Sequence, residues 1–196
     1  MFFALRSALM IVGRVSRGSM MSSITAWPAA MSGSIRGRTS SSPPSRAAPR
    51  PSGPERAGGE RVGVGLVVLT HVHPGPVGWN MSAGVPFFPN ARYGAHRDDF
   101  DWIVSAAPDR PYVRDNVLAL AASGVLDLVD GPVELLPVLE LRPAVGHTPG
   151  HCLVEAPDVT FTGDFAVHER QLADPGLAYV AEVDPEMLLL MPCGYP

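Results

Sequence analysis

The sequence predicts a mixed α+β domain over residues 61–196, preceded by an unstructured segment over residues 1–60. Two observations carry the domain. Short apolar or alternating runs, the length of strands, recur between glycine- and proline-rich breaks, with helical spacing in between. Several of these runs deliver a histidine or an aspartate at their C-terminal end, as scaffolds that carry reactive groups on loop tips do. A third observation sets the boundary. Residues 16–60 are rich in Ser, Arg, Gly, Pro and Ala, and from Ser40 to Gly59 there is almost no apolar periodicity. Such a stretch buries too little surface to offset the entropy of ordering it.

The first element is Val62 to Leu69, an apolar run that reads as a buried strand. Val85 to Asn90 reads as a loop, Ala91-Arg92-Tyr93 as a short strand, and Ala95 to Ser105 as a short helix with acids near its start. Pro111 opens a further helix. Val113, Val117, Leu120 and Ala121 form one apolar stripe along it, and Gly124 stands where a helix-terminating glycine belongs. Val125 to Val129 alternates around Asp127 and reads as a strand closed by the Asp130-Gly131 turn, and Leu136 to Leu141 reads as another. Cys152 to Glu155 and Val159 to Thr162 are expected to pair as a hairpin around Ala156-Pro157-Asp158. Near the C-terminus, Asp184-Pro185-Glu186 has the residues of a helix start, but Pro192 follows too soon for an ordinary helix. The start is therefore expected to run straight into a strand, Leu188 to Pro192.

Charge is split along the chain. Residues 1–61 carry nine arginines against Glu55 and Glu60, whereas residues 62–196 carry six against seventeen acidic residues, and there is no lysine. An acidic body argues against a nucleic-acid groove, and the arginines of the tail lack the aromatic interleaving of a nucleic-acid arm. Residues 1–15 are mildly apolar, but Arg6 interrupts them and they fall short of the ~20 residues that span a bilayer. Cys152 and Cys193 make no disulfide framework, which is simplest in a reducing cytoplasm. The expectation is a cytoplasmic protein with no nucleic-acid or membrane partner.

The chemistry centres on Thr70-His71-Val72-His73-Pro74-Gly75-Pro76-Val77-Gly78-Trp79-Asn80. Two histidines two apart on an extended segment point to the same side, about 6.5–7 Å apart along the strand. Both imidazoles can then reach one ion at about 2.0–2.1 Å. Strand, His-x-His and turn together resemble the metal-binding loop of the metallo-β-lactamase-fold hydrolases. Thr70 and the Val77-Gly78-Trp79-Asn80 tail are similar to the lactonase-like branch of that superfamily, as is Asn90-Ala91-Arg92-Tyr93 leading into Asp98-Asp99-Phe100-Asp101-Trp102. Gly146-His147-Thr148-Pro149-Gly150-His151 and Phe161-Thr162-Gly163-Asp164, followed by Gln171, extend the resemblance over residues 66–196. It implies an αβ/βα sandwich, here incomplete, with the first half-sheet largely missing because no alternating segments precede Arg61.

The resemblance further implies a first metal held by His71, His73 and His147, with Asp164 as the carboxylate that bridges to a second. The motif His-x-His-x-Asp-His departs at Gly75 and Pro76, and the place of the last histidine is Gly194. None of these three supplies a ligating side chain, so the expected complement is one Zn2+ ion at most. In the family the aspartate at the place of Gly75 also takes part in proton transfer, and losing such a partner typically costs 10²–10⁴-fold in rate. His151 and His168 match positions that support the site rather than bind metal. His96 is expected at the surface, Cys152 in the core, and Trp79 as a packing anchor under the metal loop.

The function implied is a metal-dependent hydrolase acting on a small lactone- or ester-like substrate, impaired and at most mononuclear. The alternative is a non-catalytic remnant of the fold with one metal site or none. No G-x-S-x-G elbow is present, since Asn80-Met81-Ser82-Ala83-Gly84 lacks the first glycine, which excludes the usual serine-hydrolase arrangement. A sheet edge left bare by the short first half would favour homo-oligomers.

Overall fold

Strand β4 (Val64–Leu69) explains the rest of the architecture, because both of its faces are buried. Val67 and Leu69 point into a core shared with Tyr93, Ile103, Val113, Val117 and Leu120, whereas Val68 points into a second core with Leu139, Leu141, Cys152, Val154 and Phe161. A two-residue side-chain period with apolar residues at both phases is what a central strand between two layers requires. The structure is a computed structural model. It describes residues 61–166 together with residues 170, 171, 174 and 177, and the backbone of three earlier strands, β1 (Phe2–Ala4), β2 (Ala8–Gly13) and β3 (Ile24–Pro28).

Two five-stranded sheets face each other across the second core. One has the order β3-β2-β4-β7-β8, with β7 at Arg92–His96 and β8 at Leu126–Val129. The other has the order β1-β12-β11-β10-β9, with β9 at Val133–Leu136, β10 at Leu139–Pro143, β11 at Cys152–Ala156 and β12 at Val159–Phe161. Strands β4, β7 and β8 run parallel, and the chain between them carries the helices. These are α1 (Pro74–Val77), α2 (Arg97–Ala106) and a segment of wide, π-helical turns at Val113–Leu118 that tightens into α3 (Ala119–Ala122). Between α1 and β7, a small hairpin of β5 (Met81–Ser82) and β6 (Val85–Pro86) turns through Ala83 and Gly84, both at positive φ. The helices cover the outer face of the first sheet, giving the metallo-β-lactamase-type sandwich that the sequence led one to expect.

Several expectations hold in detail. Val113, Val117 and Leu120 are buried along one stripe, and Gly124 ends the helix at φ +74°. Cys152 lies in the core between the sheets, and Trp79 packs edge-on against Phe87 with ring centroids 5.4 Å apart. Others are corrected. The run Leu136 to Leu141 is not one strand: it breaks at Pro137, which has no N–H to offer a ladder, and its halves belong to β9 and β10, which pair with each other. His96 is not at the surface but 6% exposed. It caps α2, its Nδ1 accepting the Asp98 N–H at 3.2 Å, which moves the helix start two residues past Ala95. Finally, strands were not expected before Arg61. Yet β2 pairs antiparallel with β3 and β4, and β1 pairs parallel with β12. The stretch 29–60 lies outside the described residues, as do His168, Asp184 to Pro192, Cys193 and Gly194.

Candidate metal centre

Three strand ends meet at one rim of the sandwich. Strand β4 runs out into His71 and His73, the loop between β10 and β11 carries His147 and His151, and β12 runs out into Asp164. The Cys152 N–H donates to the Thr70 carbonyl at 2.8 Å, tying the exit of β4 to the entrance of β11 across the two sheets. Pro74 opens α1 immediately after His73, so the chain turns away and leaves both imidazoles at the rim.

The ligand atoms of His71, His73 and His147 all lie within 4.8 Å of one another. His73 Nδ1 stands 3.0 Å from His147 Nε2. Asp164 Oδ2 stands 3.6 Å from His71 Nε2 and 3.4 Å from His147 Nε2. Tetrahedral coordination at ~2.1 Å separates neighbouring ligand atoms by about 3.4 Å, close to these spacings. Thr70 Oγ1 is 3.1 Å from His71 Nδ1. With the proton on Nδ1, His71 Nε2 turns a lone pair toward the other groups, and this fully buried nitrogen has no hydrogen-bond partner. Asp164 Oδ1 is likewise buried without one. Orphaned acceptors converging on one point cost free energy unless something cationic joins them. The residues present thus fit a single metal ion: His71, His73 and His147 could bind one, with the Asp164 carboxylate facing two of the three.

Electrostatics favour the same reading. Burial, reinforced by the neighbouring imidazoles, holds His71 well below the usual histidine range. Burial lowers His73 as well, against the opposing pull of Asp99 and Asp164. His147 is pushed down to about 4, chiefly by burial. At neutral pH these imidazoles are uncharged, the form in which histidine binds metal.

Two supports complete the centre. His151, pushed down to about 3 mainly by burial, has Nδ1 3.1 Å from the Ala144 carbonyl and accepts the Asp164 N–H at Nε2, 3.1 Å away. One neutral tautomer satisfies both contacts, and it fixes the backbone that aims the Asp164 carboxylate. His151 also stacks on His71 at 5.3 Å. The second support is Asp99 on α2, fully buried, which accepts backbone N–H bonds from both histidine loops. In the sequence Asp99 stands only as part of a resembling stretch. Its one local signal was an acid in a helix first turn, which ordinarily means a solvated cap. Of the replaced ligand positions, Gly75 is half-buried and Pro76 is buried within α1. Neither brings a side-chain donor to the centre.

The two facing sheets and this rim give the chain a metallo-β-lactamase-type fold. No protein-family model matches it, and no curated protein matches its sequence. Solved structures do. The hydrolase AbOPH of the β-lactamase superfamily superposes with a TM-score of 0.59 at 21% identity, over 69% of this chain and 53% of that one. A probable metal-dependent hydrolase from Staphylococcus aureus gives 0.55 at 20% identity, over 66% of this chain and 48% of that one. AidC, a dizinc quorum-quenching lactonase, gives 0.53 at 19% identity, over 69% and 53%. The chain spans about half the length of these structures, and at such identities the likeness establishes the metallo-β-lactamase fold. Among the described residues, no helix is long and apolar enough to cross a membrane.

Proposed function

We propose that this chain is a mononuclear, zinc-dependent hydrolase of the metallo-β-lactamase type, acting on a small lactone- or ester-like substrate with reduced efficiency. The observation that carries the reading is the convergence of His71 Nε2, His73 Nδ1, His147 Nε2 and Asp164 Oδ2, the first of them buried without a partner. Among the similar structures are a probable metal-dependent hydrolase and a dizinc lactonase, which supports the reaction class. A zinc ion at this point would polarise an acyl carbonyl and acidify water. His71, His73 and His147 would hold it, and their low proton affinity keeps them available as ligands at neutral pH. Asp164, aimed by His151, would keep Oδ1 free to take a proton from the attacking water. With Gly75, Pro76 and Gly194 in place of ligands, a second ion has one carboxylate to hold it, so none is expected to stay. The cytoplasm as compartment and self-association through a sheet edge belong to the same proposal.

A second reading rests on the same three positions: a remnant of the fold that holds one ion, or none, and turns nothing over. One assay separates the two. Zinc per purified chain is measured alongside hydrolysis of a chromogenic lactone and ester, with and without chelator. Turnover abolished by chelator and restored by zinc is the expected result. Zinc without turnover favours the remnant, and neither zinc nor turnover overturns the metal centre itself.

A further inference from the structure

Asp99 lies in the first turn of α2, on a helix that places no side chain among the converging ligand atoms. It is fully buried, and its oxygens are shared between two segments far apart in sequence. Oδ2 accepts the N–H of Val72 at 2.7 Å, and Oδ1 accepts the N–H of Gly150 at 2.7 Å. Val72 is the residue between His71 and His73. Gly150 is the residue before His151, three after His147. Short bonds from backbone donors to an ionised carboxylate are about twice as strong as neutral ones, and a bidentate pair fixes direction as well as distance. The approach is too close for any other residue at position 150. A Cβ on Gly150 would stand 2.5 Å from the Asp99 backbone nitrogen and 3.0 Å from His96 Nδ1.

We propose that Asp99 is a positioning residue: its two carboxylate oxygens set the spacing between the His71–His73 segment and the His147–His151 loop, and so govern how tightly the site holds metal. The proposal rests on the metal-site reading above. A purely architectural acid would lower the stability of the whole fold when removed and leave the affinity of the folded protein for metal unchanged. A positioning acid changes the affinity itself, because the imidazoles no longer meet at one distance. Outer-shell partners of this kind are typically worth 10–100-fold in metal affinity.

The test uses the full chain, stripped of metal and titrated with Co2+ and Zn2+, with the Co2+ absorption spectrum recorded and the melting temperature measured in chelator. Asp99→Asn keeps the volume but turns an amide NH2 toward one of the two N–H donors. It is expected to lose 10–100-fold in affinity and to shift the Co2+ bands. Gly150→Ala, whose Cβ would press on the Asp99 backbone and shift the 147–151 loop off the carboxylate, is expected to do likewise, and decides the matter alone if Asp99→Asn does not fold. Val117→Ala, a core change away from the rim, should lower the melting temperature and leave affinity and spectrum as in the wild type. Variants of Asp99 and Gly150 that melt early but bind Co2+ with wild-type affinity and spectrum would overturn the proposal while the metal site stands. A wild-type chain that takes up no Co2+ or Zn2+ overturns both.

Discussion

Replacing Gly163 by alanine tests whether the rim is as tightly built as its distances imply. Gly163 sits at φ +54°, just before Asp164. A left-handed conformation costs a residue with a Cβ roughly 1–2 kcal/mol. The new Cβ would also stand 2.7 Å from His151 Nε2 and 2.9 Å from Thr70 Oγ1, against about 3.4 Å or more for ordinary contact. Neither neighbour is free to retreat. His151 is engaged at both ring nitrogens, and the Thr70 carbonyl is bonded to the Cys152 N–H. Overpacking of this kind adds about 1–3 kcal/mol, so the total penalty is about 2–5 kcal/mol. For a domain of this size that lowers the melting temperature by about 4–20 °C. The check is thermal unfolding of both proteins in chelator, followed by zinc titration, in which Gly163→Ala should bind more weakly because Asp164 is carried out of line. A variant melting within about 1 °C of the wild type, with unchanged zinc affinity, would refute the close-packed rim.

His151→Leu should cost about 2–5 kcal/mol, because it leaves the Asp164 N–H and the Ala144 carbonyl buried without partners, and urea unfolding measures the loss. The metal-free protein should weaken in acid. His147 and His151 are held at about 4 and about 3 in the folded chain and return to ~6.5 when unfolded, so their neutral-state stability is complete above ~6.5 and drains as the pH falls toward those values. Urea midpoints in chelator should accordingly drop between pH 7.5 and pH 5, and equal midpoints would contradict the burial of these rings. The triple change Gly75→Asp, Pro76→His, Gly194→His should raise bound zinc from one to two per chain by elemental analysis, and a chain still holding one ion would mean that these positions do not surround a second site.

What could be read from the sequence divides along physical lines. The three histidines that the structure brings together were legible because each sits in a short word whose order is fixed by strand, turn and strand, and the helix stripe of Val113, Val117 and Leu120 because burial follows a period of 3.6 residues. The β9–β10 break was not legible in an apolar run. Hydrophobicity said strand across Leu136 to Leu141, and the missing N–H of Pro137 decided otherwise. Ala8–Gly13 is apolar at every position, which suits a central strand as well as the mildly apolar start of a tail, and periodicity does not separate the two. His96 was misjudged and Asp99 passed over for a shared reason. A charged or polar residue beside a helix start is usually solvated, and only the arrival of Gly150 from the other loop, and of the Gly131 N–H on His96 Nε2, makes these two interior.

The rim is tied together by backbone N–H donors. The amides of Val72, Gly150, Cys152 and Asp164 come from three separate places in the chain, yet each donates to a distant one, to Asp99, Asp99, the Thr70 carbonyl and His151. None of these protons can reach deuterated solvent until its loop lifts from its neighbour. Four amides scattered through the sequence are therefore expected to exchange together, and a common rate in native-state hydrogen exchange would clock how often the rim opens.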